Sequence, residues 1–149
     1  MGDPFNLARF LDAQAHDYEV ALGELRAGEK RSHWIWYVFP QLRGLGRSDK
    51  AHFYGITSLE EARGFLADPI LGKRLRECVA ALLKIRGSSA GEIMGSVDAQ
   101  KLHSSLTLFR VAAPGEQGFA LALERFFDGR LDPGTIELLE RDPDADAPS

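Results

Sequence analysis

The 149-residue chain predicts an all-α fold, one compact multihelical domain with buried central helices over residues 1–141. Apolar residues recur at three- and four-residue steps in every long segment. Asp-Pro pairs stand ahead of three of those segments, where Asp accepts a hydrogen bond from an orphan backbone N–H and Pro lacks only a donor that the first turn does not use. Strand signals are confined to residues 34–39. A composition of 44% hydrophobic and 27% charged residues suits an ordinary globular protein. At this length folding removes roughly 70% of the unfolded chain's surface from water, so neither metal nor disulfide is needed. The single cysteine, Cys78, has no partner in the chain and stands among Leu75, Val79 and Leu82, which reads as a buried small hydrophobe.

From the start at Asp3-Pro4, the residues Leu7, Phe10, Leu11, Tyr18, Ala21, Leu22 and Leu25 form one stripe that ends near Gly28. The segment Trp34 to Phe39 has aromatic and β-branched content that would suit a strand, and Pro40 ends it. A lone strand has no partner, so a short buried helix beginning near Ser32 is expected. Ser58-Leu-Glu-Glu61 is a capping box that opens a helix through Phe65 and Leu66. Asp68-Pro69 starts a longer one carrying Leu71, Leu75, Cys78, Val79 and Leu82, with Gly87 as its stop. Ser89 caps a brief turn up to Gly95, and Ser96 then caps a helix from about Val97 to Val111, broken by Ala113-Pro-Gly115. Phe119, Leu123, Phe126 and Phe127 form the next stripe, closed by Gly129. Asp132-Pro133 opens the last, through Ile136, Leu138 and Leu139. A fourth pair, Asp142-Pro143, opens a polar tail over 142–149 that is expected to fray.

Met1 to Asn6 carry no basic region or apolar run of a secretory signal, and no window approaches the roughly 18 apolar residues of a membrane span, so a cytoplasmic protein without membrane contact is expected. The net charge of −4 argues against general nucleic-acid binding. That charge is uneven: residues 30–55 hold Lys30, Arg31, Arg43, Arg47 and Lys50 against Asp49 alone. Such an island attracts a phosphate or carboxylate without inviting a polyanion.

The candidate site lies in this island. Trp34 and Trp36 supply rings for an apolar wall, with Tyr54 and Phe53 able to extend it, and Gln41 offers an amide donor and acceptor. Gly44, Gly46, Arg47 and Ser48 form a glycine turn feeding a short helix; it either receives an anion on its backbone N–H groups or only lets the chain reverse. His33, beside Lys30, Arg31 and Ser32, is the candidate acid or base, its alternative being a packed helix-start residue. Lys101 and Ser104 lie on one face of a helix that is apolar around most of its girth, with Asp98 one turn back. A buried lysine there needs a carboxylate or a ligand anion. The four histidines are scattered and no second cysteine exists, so neither metal nor cofactor is expected.

The stretches Gly28 to Ser48, Phe53 to Ile56 and Lys101 to Phe109 resemble the DUF-1810 family, a domain of unknown function, and the resemblance runs from Phe10-Leu-Asp-Ala-Gln14 to about Gly134. It implies a multihelical fold with two buried central helices and brings no established activity and no catalytic residue. Some members carry a calpastatin label. Inhibitor segments of that type resemble disordered, weakly hydrophobic polymers, whereas helical stripes and a full core describe a different physical object. The residues themselves favour binding of an anionic small molecule, of nucleotide or sugar-phosphate type, between the 30–48 segment and the Lys101 helix. Hydrolysis or group transfer at His33 is the corresponding reaction if the protein is an enzyme. The alternative is a non-enzymatic interaction domain whose Arg31, Arg43, Arg47 and Lys50 dock an acidic partner.

Overall fold

A computed structural model describes residues 2–141, and the 142–149 tail lies outside the described residues. Eight helices occur among them: α1 (Ala8–Ala27), α2 (Ile35–Val38), α3 (Asp49–Phe53), α4 (Leu59–Ala67), α5 (Leu71–Lys84), α6 (Ala90–Ala112), α7 (Gln117–Phe127) and α8 (Pro133–Arg141). The described residues contain no strand, only one isolated parallel bridge between Leu42 and Ile56. The fold is all-α.

α6 is the central element and packs against α2, α4, α7 and α8, while α1 and α5 close the other side. From Leu102 to Phe109, every α6 residue except His103 is buried. A chain of rings ties the layers together: Phe10 of α1 meets Phe65 of α4 edge-on at 5.1 Å, Phe65 meets Phe109 of α6 at 5.5 Å, and Phe109 stacks on Phe119 of α7 at 5.7 Å. All four are buried. Each such ring contributes about 1.5–3 kcal/mol through the apolar surface it removes from water.

Local chemistry places the helix ends, with some shifts from the expected boundaries. Asp3 is a cap, but its carboxylate accepts from Leu7 N (2.7 Å) and Ala8 N (2.8 Å), because a turn with Asn6 at φ 53° comes first; α1 therefore starts at Ala8. Asp68 Oδ1 accepts from Ile70 N and Leu71 N at 2.9 Å each, and Asp132 Oδ2 from Thr135 N at 3.0 Å. Ser89 and Glu92 complete a reciprocal capping box. The Ser58 box is half made. Ser58 Oγ accepts from Glu61 N, but the Glu61 carboxylate turns to Thr57 and Arg9. The expected brief turn and following helix join as one element with a break at Gly95 (φ 84°, ψ 159°), a backbone conformation essentially restricted to glycine.

α2 begins at Ile35, three residues later than Ser32 suggested, because Ser32 is engaged elsewhere. Its hydroxyl donates to Glu24 Oε2 (2.6 Å) and its N–H to Glu24 Oε1 (3.0 Å).

Candidate functional site

Glu24 of α1 organises the approach to α2. Its Oε1 accepts from Arg31 N (2.8 Å), Ser32 N (3.0 Å) and Trp34 Nε1 (2.9 Å), and its Oε2 from Ser32 Oγ. Burial opposes the carboxylate charge, but these bonds, the Ser32 hydroxyl foremost, outweigh it and hold the group at about 2. Trp34 is fully buried beside it. The Lys30 ammonium lies 4.8 Å over the Trp34 ring, donates to the Ser32 carbonyl and pairs with Asp98 Oδ2 of α6 at 2.7 Å. Lys30, Ser32 and Trp34 thus belong to one hydrogen-bonded joint between α1, α2 and α6.

Two positions on, Trp36 has a different environment. The chain after α2 runs into a loop tied at its neck by Ile56 N to Gln41 O (2.9 Å) and Arg43 N to Ile56 O (2.8 Å). This loop carries α3, whose first turn is capped by Ser48 Oγ accepting from Ala51 N at 3.0 Å. Between the loop, α2 and α6 runs a narrow crevice walled by Trp36, Phe39 and Tyr54, floored by Ala51 and Gly55, and edged by Gln41 and Lys101. In this conformation it has no room for a water molecule.

The polar groups there are not all satisfied. Gln41 is only 7% exposed, and its side-chain amide, which makes no hydrogen bond among the described residues, keeps contact with water. Trp36 Nε1 is buried with no acceptor. A buried donor left unmade costs about 1–3 kcal/mol. Two ammonium groups lie over the same indole, Lys50 Nζ at 4.8 Å and Lys101 Nζ at 5.8 Å from its centroid. Lys101 Nζ is also 3.7 Å from Asp98 Oδ1, so this one carboxylate serves both Lys30 and Lys101.

The Tyr54 wall is fixed from behind. Its ring packs on Tyr37 at 5.1 Å and Phe53 at 4.9 Å, and burial raises its hydroxyl above the ordinary phenol value. On either side of it, Arg9 Nε donates to the Phe53 carbonyl (2.8 Å) and Arg9 Nη2 to that of Gly55 (3.1 Å), while Nη2 also pairs with Glu61 Oε2 at 2.7 Å.

Of the residues singled out in the sequence, Trp36, Gln41 and Lys101 meet at the crevice. His33 is exposed and is not among the crevice residues; its carbonyl accepts the Tyr37 hydroxyl at 3.3 Å. Gly44 (φ 106°) turns the chain beside Leu138, and a Cβ on Gly46 would come within 2.6 Å of that of Ala51. Arg47 and Ser48 are exposed. Ser104 is buried on another side of α6, sharing its one proton between Asp132 Oδ2 (3.0 Å) and the Gln100 carbonyl (3.1 Å), in the contact with α8. Two groupings escaped sequence reasoning: the Glu24 hub and the tie from Lys30 to Asp98. Ser32 and Trp34 do advertise donors that need an acceptor, but nothing in the spacing points eight to ten residues back to Glu24. Among the described residues, no three His, Cys, Asp or Glu side chains gather as a metal site, and no helix is long and apolar enough to cross a membrane.

No curated protein matches the chain. The crystal structure of the conserved hypothetical protein Rv1873 from Mycobacterium tuberculosis is similar to it, at 49% sequence identity and a TM-score of 0.91, over 93% of this chain and 99% of that one. Residues 4–139 match the family described as protein of unknown function (DUF1810). The match takes in every helix placed above, to within two residues of the end of α8. This chain belongs to the DUF1810 family.

Proposed function

We propose that the protein binds an anionic small molecule at the crevice between α2, α3 and α6. The observation that carries this reading is Trp36 Nε1, a donor buried with no acceptor on the wall of a crevice edged by the Gln41 amide and the Lys101 ammonium. Charge supports it. Asp98 is divided between Lys30 and Lys101, and Lys50 adds a further positive group over Trp36; the one acid beside it in sequence, Asp49, is exposed. An anion at the crevice mouth meets the Lys101 ammonium, which has only a shared carboxylate as its partner, and the exposed Lys50 beside it. The imidazole of His33 is not at the crevice, so binding, rather than hydrolysis or group transfer by that residue, is the reading that the geometry favours.

A thermal-shift series with inorganic phosphate, ribose 5-phosphate and the four common nucleoside monophosphates tests it. A binder at 100 times its Kd adds about 2.7 kcal/mol, on the order of 8 °C for a chain of this size. Lys101→Met is expected to abolish the shift while the unliganded melting temperature stays close to that of the wild type, since Asp98 keeps Lys30 as its partner. No shift with any of these anions would overturn the proposal in favour of a docking surface formed by exposed Arg47 and Lys50.

A further inference from the structure

We propose that a second hollow, which shares no lining residue with the crevice, binds a small monocarboxylic acid with a flat apolar body, its carboxylate on Arg43 and its body against Phe5 and Phe53. The hollow measures about 270 Å³ and lies between Pro4–Asn6, ahead of α1, and the loop that carries α3. Ligand pockets usually run from about 300 to 1,000 Å³, so the occupant is small, about one ring and one acid group.

The floor of the hollow is closed to a ligand. A guanidinium has five N–H donors, and all of those of Arg9 are engaged: Nη1 donates to the carbonyls of Phe5 (2.6 Å) and Asn6 (2.8 Å), Nε to that of Phe53 (2.8 Å), and Nη2 to that of Gly55 and to Glu61 Oε2. Glu61 Oε1 in turn accepts from Thr57 N and Thr57 Oγ1. One buried guanidinium thus fastens both lips, Phe5 and Asn6 on one and Phe53 on the other, and the ion pair beneath them adds no net charge. Lips tied down in advance lose no binding energy to ordering.

The grip left for a ligand is Arg43. Its Nε donates to the His52 carbonyl at 2.8 Å, which orients the guanidinium, and its two Nη groups have no hydrogen-bond or ion-pair partner among the described residues. Those two groups are the end of the fork that holds a carboxylate by a pair of parallel bonds. A phosphate, with close to two negative charges, would leave one unmatched by this single cation. The apolar half of the ligand is met by rings. Phe53 is 50% exposed, the one fully exposed aromatic side chain among the described residues, yet it is held edge-on to Tyr54 at 4.9 Å. Phe5 lies against α4, where a Cβ on Gly64 would come within 3.3 Å of its ring.

NMR titrations of the full chain with phenylacetate, acetate and 2-phenylethanol test the proposal, the last two lacking the ring or the charge. Phenylacetate is expected to bind at least about tenfold more tightly than either, with amide shifts centred on Asn6, Phe53 and Thr57. Arg43→Leu is expected to bring phenylacetate down to the affinity of 2-phenylethanol. Should that variant fail to fold, Phe53→Ser, at a half-exposed side chain, is expected to bring it down to the affinity of acetate. Lys101→Met leaves phenylacetate binding unchanged, which separates this hollow from anion binding at the crevice. A smaller preference for phenylacetate, shifts centred on Trp36 and Lys101, or binding that survives the Arg43 or Phe53 change overturns the proposal.

Discussion

At the scale of single residues, the carboxylate of Glu24 shows how one acid can organise an entire joint. It receives three N–H groups and one hydroxyl, and these hold it at about 2, below its ordinary 4.5. A depressed folded-state value stabilises the protein above the unfolded value, and that stabilisation is lost as pH falls from about 4.5 towards 2. Glu24→Gln is therefore expected to lower stability at pH 7 by about 2 kcal/mol, the cost of leaving a buried donor such as Trp34 Nε1 poorly paired. Denaturant titrations at pH 7 and pH 3 check the linkage: the gap between the two conditions should be smaller in the variant than in the wild type. The meeting of Trp36, Gln41 and Lys101 was legible in sequence because each is odd in its setting, an amide just past a proline, rings in excess of one face, a lysine on an apolar helix. The directions of Ser104 and His33 were not. A serine on a helix buried all round has a core on every side, and only tertiary packing gave its proton to Asp132.

Among elements, the order of helices was readable and their first turns less so. Period and Asp-Pro chemistry predict that a helix follows Asp3, yet the carboxylate reaches to Leu7 and Ala8 across an extra turn. Ser32 has the chemistry of a cap, but Glu24, distant in sequence, takes its hydroxyl. Capping potential is local; the competitor for it is not. The break in α6 is the clearest backbone constraint. Gly95 has φ 84° and ψ 159°, with nothing within 4 Å of where a Cβ would stand, so the cost of a side chain there is purely conformational. Gly95→Ala is expected to destabilise by about 2 kcal/mol, read from the midpoint of urea unfolding with an unchanged slope. A neutral result would mean that the two halves of α6 rejoin as one straight helix.

For the molecule as a whole, stability depends on polar groups enclosed by the core as well as on the ring chain from Phe10 to Phe119. Arg9 and Glu61, with side chains 5% and 2% exposed, pair at 2.7 Å, and every other hydrogen bond of the guanidinium goes to a main-chain carbonyl. Breaking such a pair strands a buried charge, so Arg9→Met is expected to cost about 3–5 kcal/mol by chemical denaturation. The double variant Arg9→Met with Glu61→Leu should cost less than the two single changes added together. That the interior is helical and contiguous was plain from periodicity. That an arginine belongs in it was not, because an arginine on an amphipathic helix reads as solvated until its partners are placed.

The grip of Arg9 on the carbonyls of Phe53 and Gly55 reaches beyond folding. Those two carbonyls flank Tyr54, so the recess inherits the position of one wall from the opening turn of α1, a part of the chain that lines none of it. Damage to that anchor would mimic a recognition defect at a distance, and a survey that scored affinity alone would mark Arg9 as a contact.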